Sequence, residues 1–418
     1  MQNEKMECVK MQRRRKSIIG LACLMSAMLL FTSCGKEAEE EKQDTQTQTD
    51  TEKEELKEKE GQGNLNIISP QAYSNVDGLT LEPGTYISLI GKEDGTEYWK
   101  MVKKGAECAV AELNTALGYK GEDKIKLNYS GPSENENVDE QINILDEELA
   151  RYPNAVGIAI IDSNACAVQF DLATENGIPI VAFDSGSDYQ GLQSLCGTNN
   201  VEAAQTAAVN LATSLEGKGK VLLFAHDSKS TTAKERQKGF IDTLAKDYPQ
   251  VEVAEVIYLD DLEEVKGLLA EAQNQAAKLK PDDEKAAQKE DFTDEQAIQY
   301  ILEQHPDVTG CFATNVDATQ KVLSIVNQMK ESKEIRHSEF ARNLKIIGFD
   351  GGEAQMEALE NGELEGLVVQ NPYGMGYATV IACARSIANQ GNEAVVDTGY
   401  VWVTKDNMED KNISRILY

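Results

Sequence analysis

The chain has 418 residues, 41% of them hydrophobic, which is enough for two or three domains with ordinary apolar cores. Its 71 acidic residues against 41 basic ones give a formal net charge of −30 at pH 7. Nucleic acid and anionic membrane surfaces would repel such a chain, so no nucleic-acid partner is expected.

Residues 1–33 have the pattern of an export signal. A basic segment precedes an apolar stretch over 18–31, and small residues follow before Cys34. The end of the segment resembles the lipobox of bacterial lipoproteins, in which the cysteine carries lipid: Leu30-Phe31-Thr32-Ser33-Cys34-Gly35. An uncleaved signal anchor is the alternative, but the apolar stretch is shorter than the roughly 20 residues that span a bilayer. We therefore expect lipidation of Cys34 and a location on the outer face of the cell membrane.

Residues 34–63 are rich in Glu, Lys, Gln and Thr and contain almost nothing apolar. Such a composition cannot bury enough surface to offset the entropy of ordering, so it predicts a disordered acidic linker. The five cysteines that follow cannot all pair, and their small apolar neighbours are typical of buried free thiols: Cys108, Cys166, Cys196, Cys311 and Cys383.

After a weakly patterned arm over 64–83, apolar runs and helical stretches alternate. The spacing predicts strands over 85–90, 124–128, 155–161 and 180–183, with helices over 98–117, 138–151 and 165–175. This βαβαβαβ order favours a parallel sheet with helices on both faces.

A second series of the same kind follows. Strands are predicted over 220–224, 251–257, 308–312, 344–349, 366–369 and 395–403, with helices over 200–215, 232–246, 293–303, 317–330 and 372–388. Thr293 and Gln296 have the spacing of a capping box at the start of one helix. Residues 271–290 interrupt the series as a solvated helical insertion. Two similar sheets fit this count better than one very large sheet.

An enzyme needs a nucleophile, a base or a metal, and the sequence offers few candidates. Its three histidines are isolated, and the common nucleophile, phosphate, dinucleotide and zinc motifs are absent. A glycosidase that uses carboxylates alone is the enzymatic alternative, since Asp162, Asp184 and Asp350 each end a predicted strand. No catalytic residue, metal ligand or cofactor is predicted.

Hydrogen-bonding and aromatic residues gather instead at the predicted strand ends, where parallel α/β sheets bind ligands. The residues at the strand ends are Asp162, Asp184, Asn315, Asp350 and Gln370. Arg236 lies just inside a helix, and Tyr98 and Trp99 follow the first strand. Carboxylates accept hydrogen bonds from neighbouring hydroxyls, and aromatic faces pack on the apolar face of a sugar ring.

Each of these residues also has a structural interpretation. Asp350 is suited to a turn before Gly351, and Asn315 is suited to a helix N-cap. Tyr98 and Trp99 are compatible with the core-facing side of a helix, and Arg236 with an exposed position in Lys234-Glu235-Arg236.

Several segments, in their order and spacing, resemble the type I periplasmic sugar-binding proteins, the ribose- and galactose-type solute receptors of ABC importers. The resemblance runs from about residue 85 to 403. It rests on Tyr98-Trp99 with Gly105-Ala106, Gly177-Ile178-Pro179-Ile180-Val181-Ala182-Phe183-Asp184, Ala233-Lys234-Glu235-Arg236-Gln237-Lys238-Gly239-Phe240, His305-Pro306-Asp307-Val308, Phe312-Ala313-Thr314-Asn315, Ile347-Gly348-Phe349-Asp350-Gly351 and Gln370-Asn371-Pro372.

The resemblance implies an α/β fold of two Rossmann-like lobes with parallel sheets, joined by a three-segment hinge. The crossovers are expected near 196–198, 370–371 and 394–398. The N-terminal lobe then comprises residues 64–196 plus 371–396, and the C-terminal lobe comprises residues 197–370 plus 397–418.

The resemblance also places ligand contacts on seven of these residues. They are the aromatic pair Tyr98 and Trp99, with Asp184 in the first lobe and Arg236, Asn315, Asp350 and Gln370 in the second. Two features differ from ribose binders: Ser185 follows the carboxylate in place of Arg, and the loop 91–96 lacks the usual Asn-Pro. The aromatic residue that the family supplies before the helix at Thr293 is either Phe292 or Tyr258. The expected ligand is therefore a monosaccharide or related small molecule rather than ribose in particular.

A monomeric, lipid-anchored receptor is the function that the resemblance implies. It would capture its sugar by hinge closure and deliver it to the membrane permease of an ABC importer. The alternative is a sensor subunit of the same fold that presents its ligand to a chemoreceptor or a sensor kinase.

Overall fold

Two six-stranded β-sheets, each flanked by helices, make up most of the computed structural model, which describes residues 61–134, 136–280 and 282–418. The predicted signal, Cys34 and nearly all of the acidic linker lie outside the described residues. The predicted α/β class with two sheets of mostly parallel strands is confirmed. Within the described ranges, no helix is long and apolar enough to cross a membrane.

Five of the six strands of the first sheet come from the first half of the described chain. Its elements are α1 (Gln62–Asn66), β1 (Tyr86–Ile90), α2 (Glu97–Leu117), β2 (Lys126–Ser130), α3 (Val138–Leu149), β3 (Ala155–Ile158), α4 (Ala167–Glu175), β4 (Ile180–Phe183) and β5 (Leu192–Gly197). The strands β3 and β4 are entirely buried, as expected for apolar runs in a parallel sheet covered on both faces.

The second sheet repeats this arrangement with longer connections. Its elements are α5 (Asn200–Ser214), β6 (Gly219–Ala225), α6 (Thr231–Asp247), β7 (Val251–Tyr258), α7 (Glu263–Ala277), α8 (Asp294–Gln304), β8 (Gly310–Ala313), α9 (Val316–Lys330), α10 (Ile335–Asn343), β9 (Lys345–Phe349), α11 (Glu353–Glu360) and β10 (Gly366–Gln370). The predicted capping box is present, because Thr293 and Gln296 each bond the other's backbone N–H at the start of α8.

The last elements alternate between the two sheets. They are α12 (Pro372–Ile387), β11 (Val395–Asp397), β12 (Tyr400–Val403) and α13 (Lys411–Ser414). The strand β11 pairs in parallel with β5, whereas β12 pairs antiparallel with β10. The prediction of one strand over 395–403 is therefore wrong: Gly399, with φ 79°, breaks it and sends the chain from one sheet to the other.

The two sheets have equivalent strand orders, β2-β1-β3-β4-β5-β11 and β7-β6-β8-β9-β10-β12. In such an order the connections that follow two neighbouring strands run in opposite directions. These neighbours are β1 and β3 in the first sheet and β6 and β8 in the second. A crevice opens there outside the carboxyl ends of the strands, which is where α/β sheets bind ligands.

Helix packing is also equivalent in the two halves. In α2, a Cβ on Gly105 would overlap the carbonyl oxygen of Tyr373 in α12, and in α6 a Cβ on Gly239 would overlap the carbonyl oxygen of Val201 in α5. Glycine is required at both positions because the two helix backbones touch. The contact in the first half fixes α2, whose first turn carries Tyr98 and Trp99.

Hydrogen bonds tie together the three crossovers between the sheets. Thr198 Oγ1 donates to Gln370 Oε1 at 2.9 Å, and Asn371 Nδ2 donates to the Thr398 carbonyl at 2.8 Å. Asn371 also exchanges hydrogen bonds with Asn64 of the N-terminal arm, in both directions. The arm is therefore part of the junction between the two sheets.

Other differences from the predicted elements are local. The strand β5 and the helix α10 were not predicted, and Asp162 lies beyond the end of β3 rather than directly at it. The predicted helical insertion over 271–290 is half wrong, because α7 begins earlier, at Glu263, and ends at Ala277, where a loop follows.

Candidate ligand-binding site

The carboxyl ends of both sets of strands border one cavity of about 60 Å³, hereafter the central cavity. All seven residues of the predicted set line it: Tyr98, Trp99, Asp184, Arg236, Asn315, Asp350 and Gln370. Their convergence from two sheets is a finding of the structure, whereas their contact with a ligand stays a prediction.

Asp184 directly follows β4 and is 8% exposed. Its backbone is left-handed, with φ 57°, a conformation in which Asp is enriched among non-glycine residues. Tyr98 donates its hydroxyl to Oδ1 at 2.7 Å, and Lys92 Nζ lies 3.5 Å from Oδ2. The carboxylate is therefore held in the cavity wall by a hydroxyl and by a buried cation.

Asp350 has the equivalent position after β9, also with a left-handed backbone, φ 73°. Gln370 Nε2 donates to Oδ1 at 2.8 Å and the Val316 N–H donates to Oδ2 at 3.1 Å. Burial raises the pKa of Asp350 to about 6, although the nearby Arg236 charge and the Gln370 hydrogen bond oppose this shift. Asp350 is thus a hydrogen-bonded carboxyl group of the cavity wall and not only the turn-forming residue considered from the sequence.

Arg236 projects from the first turns of α6 into the cavity wall and is 2% exposed, so the surface interpretation is wrong. Nε donates to Asn200 Oδ1 at 2.9 Å and Nη1 donates to the Thr314 carbonyl at 2.6 Å. The guanidinium lies 3.8 Å above the Phe349 ring. No hydrogen bond within the described part of the chain uses Nη2, which leaves this donor for a ligand.

Asn315 and Gln370 line the cavity and also make hydrogen bonds that stabilise the fold. Asn315 Oδ1 accepts the Ala318 N–H at 2.8 Å, so the N-cap interpretation is confirmed, while its Nδ2 makes no hydrogen bond among the described residues. The Gln370 amide is engaged at both ends, by Thr198 and by Asp350. Gln370 therefore links a crossover to the carboxylate beside the cavity.

Tyr98 and Trp99 belong to the first hydrophobic core as well as to the cavity wall, so the core interpretation is confirmed in part. Their rings pack edge to face with centroids 5.0 Å apart, and Trp99 also contacts Phe183. Neither Phe292 nor Tyr258 lines the central cavity; Tyr258 donates its hydroxyl to Gln237 instead.

Lys92 and Glu136 were not predicted as site residues. Lys92 is 3% exposed, and its Nζ lies 3.8 Å from Glu136 in addition to its contact with Asp184. Burial alone would lower the pKa of Lys92, but the carboxylates of Asp184 and Glu136 outweigh it and leave that pKa raised. Burial raises the pKa of Glu136 to about 7 against the opposing effect of Lys92. Lys92 is therefore a fixed positive charge in an acidic site.

His226 was also missed, although the sequence places it directly after β6. Its ring lies between Thr314 Oγ1, at 2.7 Å from Nδ1, and Thr232 Oγ1, at 3.3 Å from Nε2. Burial lowers the pKa of His226, so the ring is neutral and acts through hydrogen bonding rather than charge.

Tyr418 reaches the cleft from beyond α13. Its ring packs edge to face against Tyr98 at 6.0 Å, and its hydroxyl oxygen accepts the Gly351 N–H at 3.3 Å. It therefore contacts residues attached to both sheets. On the same side, Glu97 accepts the Glu353 N–H at 3.4 Å.

Within residues 61–134, 136–280 and 282–418, no group of three or more His, Cys, Asp or Glu side chains is arranged to hold a metal ion. The chemistry of the cavity is that of hydrogen-bond donors, carboxylate acceptors and aromatic faces. These are the groups that hold a polyhydroxylated ligand in place.

Two sheets of equivalent order, three crossovers and a polar cavity between the strand ends define a two-lobed ligand-binding protein. The sequence matches the periplasmic binding protein domain family over residues 87–391, and the chain belongs to that family. The family is one of binding proteins, and membership implies an extracytoplasmic location.

Individual relatives agree with this assignment. The ribose import binding protein RbsB of Bacillus subtilis (strain 168) is 21% identical over 236 residues, which is 56% of this chain and 64% of that protein, less than two thirds of its length. A carbohydrate transporter solute-binding protein of Agrobacterium radiobacter, solved with D-arabinose, is 26% identical with a TM-score of 0.62, and the match covers 80% of this chain and 99% of that one. The arabinose-binding protein AraP of Geobacillus stearothermophilus is 25% identical with a TM-score of 0.59, covering 80% and 100%.

Proposed function

We propose that the protein is an extracytoplasmic solute-binding receptor that captures a sugar between its two lobes and delivers it to the permease of an ABC importer. The observation that carries the proposal is the convergence of Asp184 and Asp350, from equivalent positions of two sheets, on one cavity. The binding of D-arabinose by the Agrobacterium radiobacter protein and the arabinose-binding role of AraP support a sugar as the ligand class.

The free hydrogen-bonding groups suggest how a sugar is held. Arg236 Nη2 and Asn315 Nδ2 are donors for ring or hydroxyl oxygens, and the carboxylates of Asp184 and Asp350 accept hydrogen bonds from hydroxyls. Hydrogen bonds to charged groups contribute roughly 1.5–3 kcal/mol each, so a few of them reach the roughly 8 kcal/mol of micromolar binding after association costs. Tyr98 and Trp99 offer the apolar contact.

Closure follows from contacts that a ligand makes to both lobes. A sugar bound only by Asp184 would not distinguish an open cleft from a closed one, because its interactions would be the same in each. A sugar that also contacts Arg236, Asn315 and Asp350 stabilises the closed arrangement, with the linked crossovers at Thr198, Asn371 and Thr398 as the hinge. The lobes would then comprise residues 64–196 plus 371–396 and residues 197–370 plus 397–418.

Titration calorimetry against pentoses, hexoses, nucleosides and amino acids tests this function. At least one sugar should bind with micromolar or tighter affinity, and Asp350→Ala and Arg236→Ala should each weaken its binding at least about tenfold. Binding of amino acids or nucleosides but of no sugar would refute the sugar assignment. Unchanged affinity in both variants would show that the ligand lies elsewhere.

The anchoring part of the proposal concerns Cys34. Lipidation there would hold the receptor at the outer face of the membrane, near its permease. Labelling of cells with an alkyne fatty acid should mark the wild-type protein and leave Cys34→Ser unmarked. Light scattering of the purified chain without its first 34 residues should give the mass of a monomer.

A further inference from the structure

Free space in the cleft is distributed unevenly. The central cavity has a volume of about 60 Å³, whereas a neighbouring chamber between the lobes, hereafter the side chamber, has about 220 Å³. Glu136, His226 and Asn315 line both spaces. Asp184 and Asp350 therefore border the smaller of two adjoining spaces.

The central cavity adjoins free space on its opposite side as well. The packed rings of Tyr98 and Tyr418 lie there, and the hydrogen bond from the Glu353 N–H to Glu97 joins the lobes. A hollow of about 370 Å³ beside Tyr418 shares four lining residues with the central cavity: Thr96, Tyr98, Val316 and Asp317. The composition of the walls therefore decides which space suits a ligand that is longer than the central cavity.

The walls of the side chamber suit a second sugar residue. Val138 and Ile161 of the first lobe and Leu259 of the second supply apolar surface for a ring face. Lys321 and Asn315 supply donors for hydroxyl oxygens. A mixed wall of this kind is typical of small-molecule pockets, which have volumes of about 300–1,000 Å³. The central cavity alone is far below this range, and the side chamber brings the combined space close to its lower end.

We propose that the side chamber is a second subsite and that the ligand is a disaccharide or a sugar glycoside, with one sugar residue among the strand-end carboxylates and the other between Val138 and Lys321. This inference rests on the proposed function. It extends the ligand class from one ring to two.

Calorimetry with matched sugar pairs tests the second subsite. The pairs are galactobiose with galactose, arabinobiose with arabinose, xylobiose with xylose, and cellobiose with glucose. In one pair the disaccharide should bind at least about tenfold more tightly than its monosaccharide. Val138→Trp, at a half-buried position on the chamber wall, should abolish that difference and leave monosaccharide affinity within about twofold.

Asp139→Trp is the matched control, because residue 139 is the next position of α3 and is exposed. It should leave both affinities unchanged. Lys321→Trp fills the chamber from the other lobe and should act like Val138→Trp, and retained monosaccharide binding shows in each case that the variant is folded. If either Val138→Trp or Lys321→Trp binds no sugar at all, the other variant still tests the second subsite.

Two outcomes distinguish a failure of the second subsite from a failure of the proposed sugar-binding function. Equal affinities within every pair, together with no selective effect of Val138→Trp or Lys321→Trp, would overturn the second subsite and leave the sugar receptor standing. Binding of no sugar at all, single or double, would overturn the proposed function itself.

Discussion

Asp184 and Asp350 occupy the same position in two sheets of the same order, yet the two lobes hold them differently. Asp184 lies beside a buried ammonium group, Lys92, and receives one hydroxyl. Among the described residues, Asp350 receives an amide and a backbone N–H, with the Arg236 charge nearby, and the pKa of Asp350 is raised to about 6. One carboxylate is neutralised by an ion pair and the other mainly by dipoles, so mutation of their partners should affect them differently.

The largest expected effect is on stability, from Lys92→Met. This change leaves the buried Asp184 and the half-buried Glu136 carboxylates without their cation, and loss of one partner from a buried pair costs about 3–5 kcal/mol. Urea unfolding should show a decrease of that size in the free energy of unfolding. Adding Asp184→Asn to Lys92→Met should restore part of the loss, and a decrease below about 1 kcal/mol in the single variant would show that the ion pair contributes little.

Sugar affinity should depend on pH through Asp350. The ionised carboxylate accepts hydroxyl hydrogen bonds, so binding weakens as the pH falls through the pKa of about 6 and should be about tenfold weaker at pH 5 than at pH 8. Stability has the opposite sign: a carboxyl group with a raised pKa favours folding below the unfolded-state pKa and loses that contribution as pH rises through about 6. Calorimetry across this range measures the first effect.

Two variants identify the group responsible for the pH dependence. Asp350→Asn should bind more weakly at every pH but lose most of the slope. Glu136→Gln removes the other carboxyl group whose raised pKa, about 7, falls near this range, and it should keep the slope around pH 6. A slope that disappears only with Glu136→Gln would place the pH dependence in the first lobe.

A smaller effect is expected from Tyr418, which contacts both lobes. Tyr418→Ala removes the ring against Tyr98 and the acceptor for the Gly351 N–H, and the loss of about 1 kcal/mol should weaken sugar binding about fivefold. Stopped-flow measurements should show the change mainly as faster dissociation. Tyr418→Phe keeps the ring and should fall between the wild type and Tyr418→Ala, whereas a slower dissociation in either variant would contradict the assignment.

The smallest effect is expected from an ion pair at the start of β9, the end opposite to Asp350. Lys345 and Glu365 form an exposed ion pair at 2.8 Å. Exposed pairs contribute about 0–1 kcal/mol, so Lys345→Ala should change the free energy of unfolding by less than about 0.5 kcal/mol at ordinary salt concentration. A loss comparable to that of Lys92→Met would mean that burial does not explain the difference between the two pairs.

The two-sheet fold and the strand-end residues were predictable because their signals are local. The strand β4 and, after its first residue, β9 are buried, continuous apolar runs, and the residue that follows each run lies at the carboxyl edge of the sheet. Asp184 and Asp350 were found in this way. Arg236 was selected for its place just inside a helix and was assigned as a ligand contact by the resemblance to a known family, although its sequence neighbours Lys234 and Glu235 indicate an exposed helix surface.

The residues that were missed have no local signal. Lys92 and Glu136 lie in charged loops, where solvated side chains are the ordinary expectation, and their burial depends on the approach of Asp184 from another strand. Tyr418 follows the last predicted strand by fifteen positions, and its place beside Tyr98 is set by tertiary packing alone. The break in residues 395–403 did have a signal, the Thr398-Gly399 pair, which is typical of a turn.

The hydrogen bonds between Asn64 and Asn371 have a mechanical consequence. Gly61 lies against Tyr373, so the described chain begins at the crossovers rather than at the tip of either lobe. A force applied to the chain at Gly61 would act next to the hinge and would therefore exert little torque on either lobe. If Cys34 carries lipid as proposed, such an anchor would leave the two lobes free to open and close.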